Sequence, residues 1–383
     1  MLKRSILSKR LVIIAGEESG DQHAAKLLQQ LYASYPQIEV SGLGGYHLQS
    51  LGMDNLMDLT KLAITGLTGV FTHLRAIAQA FKLIKTHLKK NPPDLVILVD
   101  YPGFNLRMAK WIKKNLNCPV LYYISPQVWA WKAKRIEIIR QCVDHMAVIL
   151  PFEYVLYQSH QIPVSYVGHP LLESLSQVPT LQQCREHFAL GASERILAVC
   201  PGSRTMEIKR HMPVIIEALK LLPHQDLKIV IPVSKSLDVS IFNPYLKQFP
   251  FPYVLISGQA QKVMQAADAV VVASGTASLE SAMLQKPSCI IYKSSWLNFY
   301  LARHFMRVNY LGLSNLLQGR MVLPELLQMD CNPHELAKMI DRLLHSTSVR
   351  EQMFIQLKQL NTHLIPQDVS ALPKLVAKMM KLS

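Results

Sequence analysis

Acidic residues are scarce in this sequence: 26 Asp and Glu stand against 41 Lys and Arg, giving a formal net charge of +15. That imbalance points to anionic partners, namely nucleic acid, an anionic lipid surface or phosphorylated small molecules, without choosing among them. Closely spaced cysteines are also missing. The six thiols, at positions 118, 142, 184, 200, 289 and 331, form no C-x-x-C pair and no Cys/His cluster. This spacing suggests neither a zinc site nor a disulfide framework and fits a reducing compartment. No metal site is expected. There is no uninterrupted apolar run of 18 residues, so no membrane-spanning helix is expected. The basic start has its apolar stretch broken by Lys9 and Arg10 and carries no small-residue cleavage site, unlike a signal peptide. Repeats and low-complexity segments are absent as well.

What is present is apolar material. Half of the 383 residues are hydrophobic and only 17% are charged, enough for packed cores and more chain than one typical domain uses. Residues 11–15 (LVIIA) and 95–99 (LVILV) are short continuous apolar runs, the mark of strands buried on both faces of a parallel sheet. Residues 120–124 and 146–150 read as further strands, and a helix is expected from about Asp21 to Tyr35. After a helix and connector between Pro170 and about Glu194, the alternation restarts with strands expected at 196–200, 227–233, 253–256, 269–273 and 288–292. The fold class expected is α/β, with two Rossmann-like doubly wound parallel-sheet domains facing each other across a cleft. The expected domains are residues 1–175, 176–345 and a helical tail, 346–383, packing back on the first domain.

Ligands of open α/β sheets sit beyond the carboxyl ends of the strands, so the segments after each strand carry the chemistry. Residues 16–21 (GEESGD) follow the first strand; their glycines permit a tight turn and the next helix offers free N–H groups. Read as an ordinary turn, the same segment has Ser19 or Asp21 as its helix cap. Residues 100–105 (DYPGFN) place Asp100 where a base would stand, with Asn105 as an alternative helix cap. Residues 122–132 concentrate two tyrosines and two tryptophans before Arg135, a surface for sugar or acyl chains or else part of a core. In the second half, Gly202, Ser203 and Arg204 form a turn suited to diphosphate. Ser274, Gly275, Thr276 and Ala277 open a helix whose N–H groups suit phosphate, and Glu280 could accept from ribose hydroxyls or be a solvated first-turn carboxylate.

The motifs occur together in a fixed order: GEESGD, DYPGFN, SPQVWAW at 125–131, LPFE at 150–153, VGHP at 167–170, PGSR at 201–204, SGTASLE at 274–280 and NLL at 315–317. In this series the chain resembles the lipid-A-disaccharide synthases, inverting glycosyltransferases of the GT-B class. The resemblance implies transfer of 2,3-diacylglucosamine from UDP-2,3-diacylglucosamine to the 6-hydroxyl of 2,3-diacylglucosamine 1-phosphate, giving a β-1,6-linked disaccharide and UDP, with no cofactor. It implies Asp100 as the base with Glu17 as the second candidate. Gly202, Ser203, Arg204, Ser274, Gly275, Thr276, Ala277 and Glu280 would hold UDP. Ser19, Asn105, Gln127, Trp129, His169 and Asn315 would contact acceptor or sugar. The chain departs from the family where Thr65 and Gly69 replace a methionine and a glutamate, and where Cys200 replaces a leucine. The rival enzyme readings are another GT-B protein, such as an undecaprenyl-linked glucosaminyltransferase or a UDP-sugar epimerase. A non-catalytic lipid- or nucleic-acid-binding module is the rival outside enzymes.

The positive charge has a place to act. Leu74, Ile77, Phe81, Ile84 and Leu88 recur at helical spacing, with Arg75, Lys82, Lys85, Lys89 and Lys90 interleaved and an apolar, glycine-bearing stretch at 62–71 before them. Such an element could lie on an anionic membrane or be a core helix with a solvated basic edge. Peripheral binding to the cytoplasmic face of the inner membrane of a Gram-negative bacterium is expected, nucleic acid is not, and an oligomer remains open.

Overall fold

The computed structural model describes residues 8–61, 70–129, 135–223, 226–235, 237–295, 309–366, 368 and 370–382. These divide into two compact units, residues 1–170 with 366–383, and residues 171–365. The first unit holds a seven-stranded sheet in the order β3-β2-β1-β4-β5-β6-β7. Its strands are β1 (Arg10–Ala15), β2 (Glu39–Gly44), β3 (Asp54–Asp58), β4 (Leu95–Val99), β5 (Val120–Tyr123), β6 (His145–Val148) and β7 (Val164–Tyr166). The second unit holds six strands in the order β10-β9-β8-β11-β12-β13. These are β8 (Arg195–Cys200), β9 (Leu227–Val233), β10 (Tyr253–Ser257), β11 (Ala269–Ala273), β12 (Ser288–Tyr292) and β13 (Glu325–Leu327). Every pairing is parallel. Each sheet reverses strand order once, between β1 and β4 and between β8 and β11, which is where a ligand crevice opens in this topology.

Alternation along the strands separates two cores in the first unit. Val12, Ile14, Val96, Leu98 and Tyr122 point to one face, beneath Ile84, Leu88, Met108 and Ile112 of helices Val70–Lys90 and Pro102–Asn115. Leu11, Ile13, Ile97, Val99 and Leu121 point to the other, beneath Leu27, Leu28 and Leu31 of helix Glu18–Ser34. Leu372, Val376 and Met380 of the last helix, Ala371–Met380, complete that second face. The tail expected at 346–383 as one element is therefore divided. Met353, Leu357, Leu360 and Leu364 of helix Thr347–Leu364 belong to the core of the second unit, and only the final helix packs on the first. Its apolar stripe, broken off at Pro366, has two destinations.

Three strands have no counterpart in the expected set, β2, β3 and β13, whereas β7 is the strand that the motif at 167–170 is read to close. In β2, Gly42 sits at φ +152° and a Cβ there would stand 1.9 Å from the Ile13 carbonyl oxygen. Close approach to β1 requires glycine, and glycine erases the strand signature. The other two are short edge strands, mostly half-exposed, so no continuous apolar run announces them. The expected strand at 120–124 ends one residue early because Ile124 turns to φ +65°. The one expected at 146–150 runs from His145 to Val148.

The amphipathic segment is corrected in part. Ile84 and Leu88 are buried in the core, whereas Leu74 is 57% exposed. Lys85 lies over the rings of Phe81 and Trp111, at 5.0 and 5.4 Å. The apolar face from Ile77 to Leu88 is occupied by the sheet and cannot enter a bilayer; the basic edge and the Leu74 end remain outside.

In the second unit, buried Arg185 closes the lower edge of the sheet. It donates to the carbonyls of Ala266 (3.0 Å) and Ala192 (2.7 Å) and to Asp268 Oδ2 (2.8 Å). The same carboxylate oxygen accepts from the Ile196 N–H at 2.8 Å. Arg185→Ala leaves Asp268 and two carbonyls without their charged partner, and should destabilise the second unit by about 3–5 kcal/mol. In denaturant titrations the unfolding transition of that unit should move while the other stays; two unmoved transitions would show that the ion pair contributes nothing.

Candidate functional site

At the switch point of the first unit, two strand ends are tied by one buried amide. Asn105 Nδ2 donates to the carbonyls of Asp100 (2.8 Å), Val99 (3.1 Å) and Ile14 (3.4 Å), bridging the carboxyl ends of β4 and β1. Tyr122 donates its hydroxyl to the Asp100 carbonyl at 2.6 Å, and the Asp100 N–H donates to the Tyr123 carbonyl at 3.0 Å. So gripped, Asp100 and Tyr101 stand consecutively in the left-handed region, at φ 44° and 45°. Non-glycine residues persist there only when their surroundings over-determine them, and such residues gather at functional sites. The Tyr101 ring lies against the backbone after β1, where a Cβ on Gly16 would meet it at 2.1 Å. Burial raises the Asp100 carboxyl to about 6, and the Glu17 carboxylate adds to the rise. Glu17 and Ser19 are exposed at the start of helix Glu18–Ser34.

Neither Ser19 nor Asp21 caps that helix. Asp21 is fully buried and its carboxylate accepts from Gly45 N–H (2.7 Å) and His47 N–H (2.9 Å), fastening the segment after β2. Asn105 is likewise fully buried; its Nδ2 is given to the backbone, while its Oδ1 has no partner among the described residues. It positions Asp100 rather than presenting itself to an acceptor.

Beyond β5 and β6 lies a second buried cluster. Trp129 Nε1–H donates to Glu153 Oε1 at 3.1 Å, and the Leu150 N–H donates to Glu153 Oε2 at 3.2 Å. Ser125 Oγ and the Tyr157 hydroxyl share a 2.7 Å hydrogen bond alongside. Burial pushes Glu153 up to about 8 despite these donors, so it is largely protonated at neutral pH. Trp129 also meets Phe152 edge-on at 5.1 Å, and Gln127 is exposed on the same loop. Of the segment expected to carry aromatic and basic contacts, Trp131 and Lys132 lie outside the described residues, as do the departures at Thr65 and Gly69. His169 is nearly buried, and burial, with His23 beside it, depresses its imidazole to about 4.

The second unit has a cavity of about 510 Å³ at the carboxyl ends of its central strands. All eight residues expected to hold UDP line it: Gly202, Ser203 and Arg204 after β8, and Ser274, Gly275, Thr276, Ala277 and Glu280 after β11. Helix Thr276–Met283 begins there with no side-chain cap, so its first N–H groups face the cavity, as an anion site requires. The Arg204 side chain is 82% exposed and, among the described residues, reaches Glu207 at 3.4 Å. Burial raises the Glu280 carboxyl, while Gln261, donating at 2.8 Å, opposes the rise. His211 is buried behind the 201–204 turn. Its Nδ1 bonds the Pro201 carbonyl at 2.6 Å and its Nε2 accepts from the Lys293 N–H at 3.0 Å, which sets the Nδ1–H tautomer. Asn315 is not in the cavity. It is fully buried, accepting from the N–H groups of Val322 and Leu323 at 2.8 Å and donating to Glu325 at 2.6 Å. Its part is to pin helix Leu313–Gln318 to β13.

A family model described as lipid-A-disaccharide synthetase matches residues 11–378. The chain belongs to that family. It is 47% identical over 359 residues to lipid-A-disaccharide synthase 1 of Legionella pneumophila (strain Lens), covering 93% of this chain and 94% of that protein. It is 40% identical over 351 residues to the lipid-A-disaccharide synthase of Trichlorobacter lovleyi, with 90% and 91% covered. Among solved structures it is similar to MurG of Acinetobacter baumannii, at TM-score 0.61, 15% identity and 97% and 99% coverage. It is also similar to UDP-GlcNAc 2-epimerase from Neisseria meningitidis, at TM-score 0.62, 13% identity and 98% and 100% coverage. These likenesses show the fold, which is GT-B.

Three groups of residues in the two units of this lipid-A-disaccharide synthetase family member escaped sequence reasoning. Ser234, Lys235, Gly258 and Gln259 extend the same cavity from β9 and β10; only the glycine offered a signal. Glu153 stood within a quoted motif without a role, and Glu207 and His211 read as ordinary helix residues. Asn105→Ala should remove the amide donor from the Val99 and Ile14 carbonyls and leave the Asp100 carbonyl to Tyr122 alone, at a cost of about 1–3 kcal/mol. Thermal melting should show that loss in the first unit, and an unchanged midpoint would remove Asn105 from the role given to it here.

Proposed function

We propose that this chain transfers 2,3-diacylglucosamine from its UDP derivative to the 6-hydroxyl of 2,3-diacylglucosamine 1-phosphate, forming a β-1,6-linked disaccharide 1-phosphate and UDP. The observation that carries the reading is the gathering of all eight expected nucleotide residues around one cavity at the switch point of the second sheet. Membership of the family supplies the substrates, which are those of its named relatives.

In this reading Asp100 accepts the proton of the acceptor hydroxyl as its oxygen bonds the anomeric carbon of the donor. The bond from that carbon to the diphosphate breaks on the opposite side, which inverts the configuration, and its electron pair leaves with UDP. Arg204 and the free N–H groups at the start of helix Thr276–Met283 stabilise the charge that develops on the diphosphate. A base works best when its pKa lies near the working pH, and a carboxyl raised to about 6 is better matched than an ordinary aspartate. His169, held neutral by burial, and Trp129, fastened by Glu153, are offered as parts of the wall of the acceptor site.

Purified protein given both substrates should release UDP only when the acylated acceptor is present. Release without acceptor, or epimerised sugar, would favour the other GT-B readings, and no turnover with intact UDP binding would favour a binding module. Asp100→Ala should lower turnover by about 10²–10⁴-fold. Since the carboxylate form is the base, kcat/KM should fall as pH drops through about 6. Glu17 raises Asp100 by its negative charge, so Glu17→Gln should move this acid limb to lower pH. An acid limb that ignores both substitutions would pass the role to another group.

We place the diacylated substrates at an anionic membrane surface on the basic edge of helix Val70–Lys90. Arg75 is exposed there beside exposed Leu74, and Lys82 and Lys90 are exposed farther along the helix. No helix among the described residues is long and apolar enough to cross a membrane. Vesicles containing anionic lipid should sediment the protein at low salt and release it at high salt. Replacing Arg75, Lys82 and Lys90 by glutamate should abolish the difference between anionic and neutral vesicles; retention of it would send the contact elsewhere.

A further inference from the structure

The turn meant for a diphosphate already has an anionic occupant. Glu207 Oε2 accepts from the Ser203 N–H at 2.9 Å and from the Arg204 N–H at 3.2 Å, while Oε1 stands 3.4 Å from the Arg204 guanidinium. Gly202, at φ +129°, gives the carboxylate room: a Cβ there would stand 2.4 Å from Oε2. A capping box at the start of helix Thr205–Lys220 accounts for the bond to the Arg204 N–H. It does not account for the shorter bond to Ser203, which lies outside the helix, nor for the guanidinium. The three donors that Glu207 engages are those a phosphate oxygen would seek, and Glu207 itself lines the nucleotide cavity.

We infer that Glu207 is a built-in competitor of the nucleotide diphosphate, occupying its donors while the site is empty and returning to them as UDP departs. The inference rests on the nucleotide reading of this cavity. The carboxylate keeps the turn folded around satisfied N–H groups, and a diphosphate must displace it, so Glu207 sets the affinity and release of UDP without touching the reacting sugar. It is a positioning residue. A carboxylate is a stronger acceptor than a neutral amide, so Glu207→Gln should weaken the competitor and leave the turn formed.

The test is calorimetric titration of the full chain with UDP and with uridine, which lacks the diphosphate. Glu207→Gln should bind UDP about tenfold more tightly than the unmodified protein, an effect of the size expected when a nearby like charge is removed, and bind uridine unchanged. Stopped-flow displacement should show slower UDP dissociation. Glu207→Ala removes the competitor altogether and should tighten UDP in the same selective way, which keeps the test valid if the glutamine variant fails to fold. UDP affinity no higher than that of the unmodified protein in the folded variants would overturn the inference. So would equal changes for UDP and uridine, the mark of a purely structural cap. An unmodified, folded protein that binds no UDP would instead bring down the nucleotide reading itself.

Discussion

The carboxyl ends of β1 and β4, paired in the sheet as far as Ala15 and Val99, are braced where the chain leaves them by one buried amide. Asn105 donates into both strand ends, and the hydroxyl of Tyr122 braces the same Asp100 carbonyl. With its carbonyl and N–H both engaged, Asp100 has little freedom of backbone, and it and Tyr101 adopt the left-handed conformation that the exit geometry demands. Gly16 then has to be glycine, because the Tyr101 ring occupies the place of its Cβ. The exposed Glu17, one residue on, acts on Asp100 electrostatically. Substituting any member of this set would disturb the others, which is why a short motif after each strand acts as one device.

The second unit solves the same topological problem with different parts. Arg185 and Asp268 join the amino-terminal edges of β8 and β11, leaving the carboxyl edges free for the cavity. There the ring of His211 replaces the amide of Asn105 as a two-ended brace, between the turn after β8 and the backbone after β12. Its burial lowers its affinity for a proton. A neutral ring can accept from the Lys293 N–H with one nitrogen while donating with the other; an imidazolium could not. The turn is thus shaped by a side chain whose protonation state its own surroundings determine.

How much of this was legible depended on what each strand must bury. β1, β4, β8 and β11 lie between two covered faces, so their sequences are unbroken apolar runs and their positions were evident. β2 gave up that pattern to Gly42, and the edge strands β3 and β13 had no second face to bury. The gathering of the residues after β8 and β11 around one cavity was legible because turns after buried strands use glycine, serine and arginine in ways that chemistry constrains. Asn105 and Asn315 were legible as important and illegible as to role. An asparagine beside a strand end can face a ligand or the backbone with equal ease, and only the fold shows that both face the backbone. The charged face of helix Val70–Lys90 was ambiguous for a related reason: periodicity fixes which side is apolar, not what covers it.

The carboxyl groups of the two units show how burial and donors divide one functional group among several tasks. Glu153 is buried with an indole, backbone N–H groups and the Ser125 hydroxyl acting on it, yet burial prevails and pushes its carboxyl up while it fastens Trp129. Asp100 is less enclosed and lies beside a second carboxylate, which leaves it poised near neutrality. Asp21 meets three N–H donors and serves as a fixed anchor for the segment after β2. Glu207 stands on a helix N-terminus beside a guanidinium, so its charge is welcomed where a diphosphate would be. In a chain with an excess of 15 positive charges, a carboxylate in the anion site cannot serve overall neutrality. Its effect is local: it keeps the donors satisfied and ordered, and it limits how tightly a nucleotide can be retained after transfer.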